Sequence, residues 1–218
     1  MKVAVIGSTG YVGAAVVKEL AARGHEVTAF ARKPQAVPAA ANVQAVEADV
    51  NAPDFAQKLK GFDAVISAFN PGWTNPNIGP EFTRGVQAIV EAAKAAAVPY
   101  LLVVGGAGSL YVKPGLQLID TPEFPAEIFA GADAARKLLA ALQPRRDVNW
   151  AMVSPPARLG VTGGYSEERT GRYRLGSDDL LMDGDAPAGI SVADLAIAIA
   201  DDAEKKGHLH RRFTVAAQ

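Results

Sequence analysis

Val3-Ala4-Val5-Ile6-Gly7-Ser8-Thr9-Gly10-Tyr11-Val12-Gly13 decides the fold: an apolar run breaks into glycines spaced G-x-x-G-x-x-G, and helical periodicity starts directly beyond them. Glycine lets the backbone turn sharply and approach a ligand closely. The first amides of the following helix then point free N–H groups outward, so the turn reads as a cradle for a diphosphate. Gly7, Ser8, Thr9, Gly10, Tyr11, Val12 and Gly13 are therefore the first candidate cofactor-binding residues. Val12, Val16 and Leu20 recur along one helical face, Arg23-Gly24-His25 ends that helix, and Glu26-Val27-Thr28-Ala29-Phe30 reads as a second strand. A β-α-β unit of about thirty residues is what half of a dinucleotide-binding fold requires. The glycine spacing alone would be weak, and it is the strand before it and the helix after it that give it weight.

Working outward, the chain of 218 residues suits a single domain over residues 1–218 with a sizeable core. With 22 Lys+Arg against 23 Asp+Glu, no electrostatic footprint for nucleic acid or an anionic membrane is visible, and a small ligand is expected. Cysteine is absent, which removes disulfides, thiolate nucleophiles and Cys-ligated metal. The histidines are His25, His208 and His210, with no His-Glu-x-x-His or comparable cluster, so no metal site is expected. No signal peptide precedes the first strand, and no apolar stretch reaches the roughly eighteen residues of a membrane span. A cytoplasmic protein is the expectation.

Strand and helix patterns alternate along the rest of the chain. Val43-Gln44-Ala45-Val46 reads as a third strand, Asp63 to Ser67 as a fourth, Tyr100 to Val104 as a fifth and Val148 to Val153 as a sixth. Phe55 and Leu59 mark a short helix, Phe82 to Ala97 a long one, and Pro125 the first turn of another. Ser191-Val192-Ala193-Asp194 resembles a capping box, Gly207 is a fitting stop, and Arg212 to Val215 can close the sheet. Residues 155–190 are rich in Gly, Pro, Arg and Asp and read as an irregular lobe on the substrate side. The sum is an α/β, Rossmann-type doubly wound parallel sheet with helices on both faces. Ligands in that architecture bind at the carboxyl ends of the strands, which adds Ser67, Ala68, Phe69, Gly105 and Pro155 to the cofactor-binding candidates. Alanine-rich helix faces suit a homodimer interface and suit close packing on the sheet equally.

An NAD site carries an acidic residue about twenty positions beyond the glycine turn; here the count reaches Arg32 and Lys33. Two cations can pair with a 2′-phosphate, so NADP(H) is favoured over NAD(H), the alternative being a solvated basic loop. Asp49, at the end of the third strand, can accept from the adenine amino group while Val50 packs on the ring. It can equally cap the helix beginning near Pro53. Ser67-Ala68-Phe69 would flank the nicotinamide ribose. Asn70 to Pro76 reads as a loop over the nicotinamide, with Trp73 either a stacking surface or folded onto the protein itself.

The opening turn, Val103-Val104-Gly105-Gly106-Ala107-Gly108-Ser109-Leu110, Val153-Ser154-Pro155-Pro156, Arg169-Thr170-Gly171-Arg172-Tyr173-Arg174 and Ile190-Ser191-Val192-Ala193-Asp194-Leu195-Ala196 together resemble the atypical short-chain dehydrogenase/reductases. The resemblance is to their NAD(P)H-binding group of NADH-flavin reductase-like proteins, related to NmrA-like proteins and biliverdin-IXβ/flavin reductase, and it spans nearly the whole chain. It implies a nucleotide site on the residues above. Short-chain dehydrogenases use Tyr-x-x-x-Lys, yet four residues beyond Tyr11, Tyr100, Tyr111, Tyr165 and Tyr173 stand Ala15, Val104, Gly115, Arg169 and Ser177. The family's serine is also displaced, with Gly105-Gly106 at its place and Ser109 further on. Ser109 and Tyr111 are the remaining catalytic candidates, Tyr111 having packing in its loop as the alternative.

Flavin reduction survives the loss of that dyad, because hydride can pass to a stacked isoalloxazine whose proton comes from water. The expectation is NADPH-dependent reduction of a flavin, quinone or similar planar acceptor, with FMN or another flavin as substrate. Arg169, Arg172 and Arg174 would receive a flavin phosphate, or else decorate a solvated lobe. A non-catalytic NADP(H) sensor acting on a partner protein is the alternative function.

Overall fold

The computed structural model describes residues 1–218. Eight strands form the central sheet: β1 (Lys2–Ile6), β2 (Glu26–Ala31), β3 (Val43–Glu47), β4 (Ala64–Ser67), β5 (Leu101–Val104), β6 (Trp150–Ser154), β7 (Tyr173–Gly176) and β8 (Arg212–Ala217), in the order β7-β8-β6-β5-β4-β1-β2-β3. Every neighbouring pair is parallel except β7 with β8, which is antiparallel. Strand order reverses between β1 and β4, the switch point at which open sheets of this kind bind ligands.

Side chains alternate across a strand, and the sheet sorts them into two cores. Ala4, Ile6, Val65, Leu101 and Val103 meet the helices α2 (Phe55–Lys58), α3 (Ile78–Ala95) and α4 (Phe129–Leu142) on one face. Val3, Val5, Ala64, Ile66 and Leu102 meet α1 (Tyr11–Ala22) and α5 (Val192–Lys205) on the other. Both faces being covered explains why these strands are continuously apolar in sequence. The register pairs Ile6 with Ser67, Ser67 with Val103 and Val104 with Val153, so the strands end in one row.

Caps and breaks follow the sequence with local exceptions. Ser191 Oγ accepts the Asp194 amide at 3.0 Å and caps α5 as read. Its left-handed terminal residue is Lys206, φ 52°, rather than Gly207. Pro125 precedes a short 3₁₀ turn over Ala126–Ile128, and α4 begins only at Phe129. The long helix starts a turn earlier than its apolar stripe, at Ile78. The lobe over residues 155–190 is not wholly irregular, because Tyr173–Gly176 extends the main sheet at its edge. No helix is long and apolar enough to cross a membrane.

Candidate functional site

The glycine turn is fixed by collisions that any side chain would cause. Gly7 has φ 75°, and a Cβ there would lie 2.4 Å from the carbonyl oxygen of Ala68. A Cβ on Gly13 would lie 2.1 Å from the Gly7 oxygen, whereas one on Gly10 would stand 3.3 Å from that atom. The first and third glycines are therefore what lets α1 pack down onto the turn and the turn onto β4. Gly10 supplies no side-chain cap to α1, and the amides of Tyr11, Val12 and Gly13 meet no protein acceptor. Open amides at a helix N-terminus, backed by the helix dipole, form an anion site.

Around this turn the other candidates separate into available and committed groups. Ser8 is buried, and its Oγ donates to the Phe30 carbonyl at 3.0 Å, tying the turn to β2; Thr9 is exposed. Arg32 and Lys33 follow β2 on the surface and make no ion pair or side-chain hydrogen bond, so both charges are free. Asp49 is exposed, and its Oδ1 accepts the Asn51 amide at 2.9 Å. It does not cap a helix, since the residue preceding α2 is Asp54. Val50 is buried in the core layer of Phe30 and Phe55. Ser67 is buried at the end of β4, and its Oγ has no hydrogen-bond partner, an orphaned polar atom beside the switch point.

Beyond the strand ends lies a cleft of about 670 Å³, within the size range of small-molecule sites. Gly10, Tyr11 and Val12 line it from the turn, Ala68 and Phe69 from β4, Gly105 from β5 and Pro155 from β6. Phe69 is held in place by α3: a Cβ on Gly85 would come within 2.4 Å of its ring, and Phe82 lies 6.5 Å away, centroid to centroid. Trp73 is folded onto the protein itself, the second of its two readings. Its ring rests so closely on α4 that a Cβ on Gly131 would lie 2.8 Å from it, and it lines the cleft from that rim.

Tyr11 bridges the turn and the lobe. Its hydroxyl hydrogen-bonds to Glu167, which also accepts the Val161 amide at 2.9 Å. Burial and the neighbouring carboxylate push the phenol up to about 12, and the phenol and the Val161 amide hold Glu167 below the usual carboxylate range.

The catalytic candidates lie elsewhere. A 3₁₀ turn over Ala107–Ser109 tucks Ser109 inward, where its Oγ accepts from Arg212 Nη1 at 3.2 Å, and Arg212 is itself held by Asp178 at 2.6 Å. Tyr111 opens a small ribbon with Leu116–Gln117, and its amide is bound to the Asp178 carbonyl. Neither residue lines the cleft. Arg169 pairs with Glu19 at 3.1 Å and Arg174 donates to the carbonyls of Ala217 and Met182, so both are spent on the lobe's own attachment. Sequence reasoning missed the wall formed by Thr121, Glu123, Phe124 and Ile128. An aromatic between Pro122 and Pro125 was the available signal.

The family model described as NAD(P)H-binding matches residues 7–203. YwnB, an uncharacterized protein of Bacillus subtilis, is 37% identical over 220 residues, covering 100% of this chain and 99% of that protein. A solved structure from Bacteroides thetaiotaomicron, proposed to be an epimerase, superposes with a TM-score of 0.89 at 38% identity, covering 99% of this chain and 96% of that one. Another from Streptococcus pneumoniae, proposed to be an NADH-flavin reductase, gives 0.85 at 33% identity over 100% of both chains.

Proposed function

From the premise that the chain belongs to the NAD(P)H-binding family, we propose that it is a reductase passing hydride from NADPH to a flavin, quinone or similar planar acceptor. One observation carries this reading: an aromatic-walled cleft opens directly onto a helix N-terminus whose amides lack acceptors. The residues fit a dinucleotide. The amides of Tyr11, Val12 and Gly13 suit its pyrophosphate, the free cations Arg32 and Lys33 suit a 2′-phosphate, and the orphaned Ser67 hydroxyl suits a ribose beside β4. When bound, a reduced nicotinamide supplies a hydride.

The chain's own residues do the rest. Ala68 and Gly105 leave room for a ring to lie flat at the strand ends, while Phe69, Phe82 and Phe124 exclude water and orient a second ring against it. No lysine lines the cleft, and the one tyrosine that does, Tyr11, has its hydroxyl engaged by Glu167. A Tyr-Lys proton relay is therefore missing, which favours an acceptor that takes its proton from water. The likeness to the Streptococcus pneumoniae protein supports the same class.

Steady-state NADPH and NADH oxidation with riboflavin, FMN and quinones tests the reading. Turnover with at least one acceptor and a preference for NADPH is expected. Tight NADPH binding without turnover on any acceptor rejects it. That outcome leaves the second reading, a non-catalytic NADP(H) sensor, which the same missing Tyr-Lys pair favours.

A further inference from the structure

The wall that the sequence did not reveal is also where the cleft's charge resides. Glu123, an exposed residue, is the only one with a formal charge among those lining it, and no lysine, arginine or histidine does so. Its position is set by a tight turn: Phe124 N–H donates to the Thr121 carbonyl at 3.2 Å, with Pro122 at the second position and Glu123 at the third. Phe124, the next residue, is half-buried and anchored edge-on against Phe129, ring centroids 6.3 Å apart.

The cations nearest in sequence to the lining residues cannot relieve this. Arg136, beside Ala135, is held by Asp120 at 2.8 Å and by Asp133 at 2.5 Å. Arg158, beside Ala157, donates to the Gly164 carbonyl at 2.6 Å. Arg84 is two residues from Phe82 on α3, which turns it to the opposite, exposed side of the helix. With a dinucleotide's pyrophosphate on the α1 amides, a further phosphate brought into this cleft would lose water against apolar walls, find no cationic side chain and meet the charge of Glu123.

We infer that the cleft takes an uncharged, planar, fused-ring acceptor and turns away its phosphorylated counterpart, with Glu123 setting the discrimination. This rests on reading the cleft as the acceptor site. It narrows the substrate class, since riboflavin-like and quinone-like rings qualify whereas FMN does not. The unpaired carboxylate further suits an acceptor that presents a hydrogen-bond donor, such as a ring N–H or a hydroxyl, toward the turn between Thr121 and Phe124.

The test is equilibrium binding, which needs no turnover. Quenching of riboflavin and of FMN fluorescence is titrated with the protein saturated in NADP⁺, alongside Glu123→Gln and Glu123→Lys, with thermal unfolding of each variant to establish that it is folded. The expected result is riboflavin binding about tenfold tighter than FMN at low salt, from the repulsion between a carboxylate and a phosphate dianion across a partly solvated cleft. That ratio should shrink with added salt, fall in Glu123→Gln and approach one in Glu123→Lys. Equal or tighter FMN binding by the wild type, a ratio unmoved in both folded variants, or no binding of either flavin overturns the inference. Selective riboflavin binding without NADPH oxidation would sustain it while rejecting the reductase reading, so the two failures are separable.

Discussion

The floor of the cleft and the lobe beside it are built on opposite terms. At the floor the decisive contacts are backbone against backbone: Gly13 against Gly7, Gly7 against Ala68, with strand ends aligned by the sheet register. The lobe over residues 155–190 joins the sheet through Tyr173–Gly176, and the segment before that strand hangs on side-chain links, Glu167 to Tyr11, Arg169 to Glu19 and the Thr170–Gly171 amides to Asp194. A backbone floor has no single removable contact, so its geometry stands or falls whole. The side-chain links of the lobe can be dissected one residue at a time. Substitutions should therefore act all-or-none at the floor and by graded increments in the lobe.

The sharpest break is expected from Gly13→Ala. The new methyl would stand 2.1 Å from the Gly7 oxygen, where only backbone can give way, so α1 must lift from the turn and carry its amides with it. We expect a loss of at least about 3 kcal/mol in NADPH binding, a hundredfold or more, measurable by calorimetric titration. Near-native affinity would show that the floor is softer than its contacts imply. Asp194→Ala comes next. This carboxylate is 1% exposed and accepts from Thr170 N at 3.1 Å, Gly171 N at 2.9 Å and Thr170 Oγ1 at 2.7 Å. Its removal orphans donors of the lobe and should cost about 2–3 kcal/mol, lowering the midpoint of thermal unfolding by about 4–12 °C. NADPH affinity should change far less than in Gly13→Ala.

A third prediction stays on the floor but concerns its selectivity. Arg32 and Lys33 are exposed and unpaired, so replacing both with Ala removes no internal support. The ratio of NADPH to NADH affinity should fall about tenfold while NADH binding holds, since the charge-assisted bonds proposed for the extra phosphate would be all that is lost. An unchanged ratio would place these cations among ordinary surface charges.

The same contrast explains what was legible in the sequence. Local patterns announce backbone devices: the apolar run into Gly7, the helical stripe after Gly13, the Ser191 cap, the strand at Leu101–Val104. Tertiary links leave no such trace. Tyr173–Gly176 escaped because it is a short edge strand of mixed polarity, recognisable only once β8 lies beside it. The position of Val50 after β3 was clear, but its burial against the layer of Phe30 and Phe55 depends on α2 packing across. Ser109 followed the right strand, yet the turn at Ala107 and an arginine 103 residues away decide where its hydroxyl points. Glu123 and Phe124 belong to a loop whose relation to the cleft is set by where α4 docks, and no periodicity reports that.

The smallest effect is expected at the bond joining the two regions. Tyr11→Phe removes the hydroxyl that meets Glu167 and leaves the ring. The bond is solvent-accessible, and screening limits its contribution to about 0.5 kcal/mol, an unfolding shift of about 1–2 °C. Its pH dependence distinguishes it from a packing effect. Glu167 lies below its ordinary value of 4.5 in the folded protein, so its contribution is present above that pH and is lost as pH falls through the lowered value. Tyr11 is raised from 10.0 to about 12, so its contribution is full below pH 10 and is lost as pH rises through about 12. The stability difference between wild type and Tyr11→Phe, from urea unfolding at a series of pH values, should be flat across the neutral range and shrink at both ends. A difference that ignores pH would mean that the ring, not the hydroxyl, joins the lobe to the turn. The link would then be packing like that of the floor, and the division between the two regions would fail at the one residue they share.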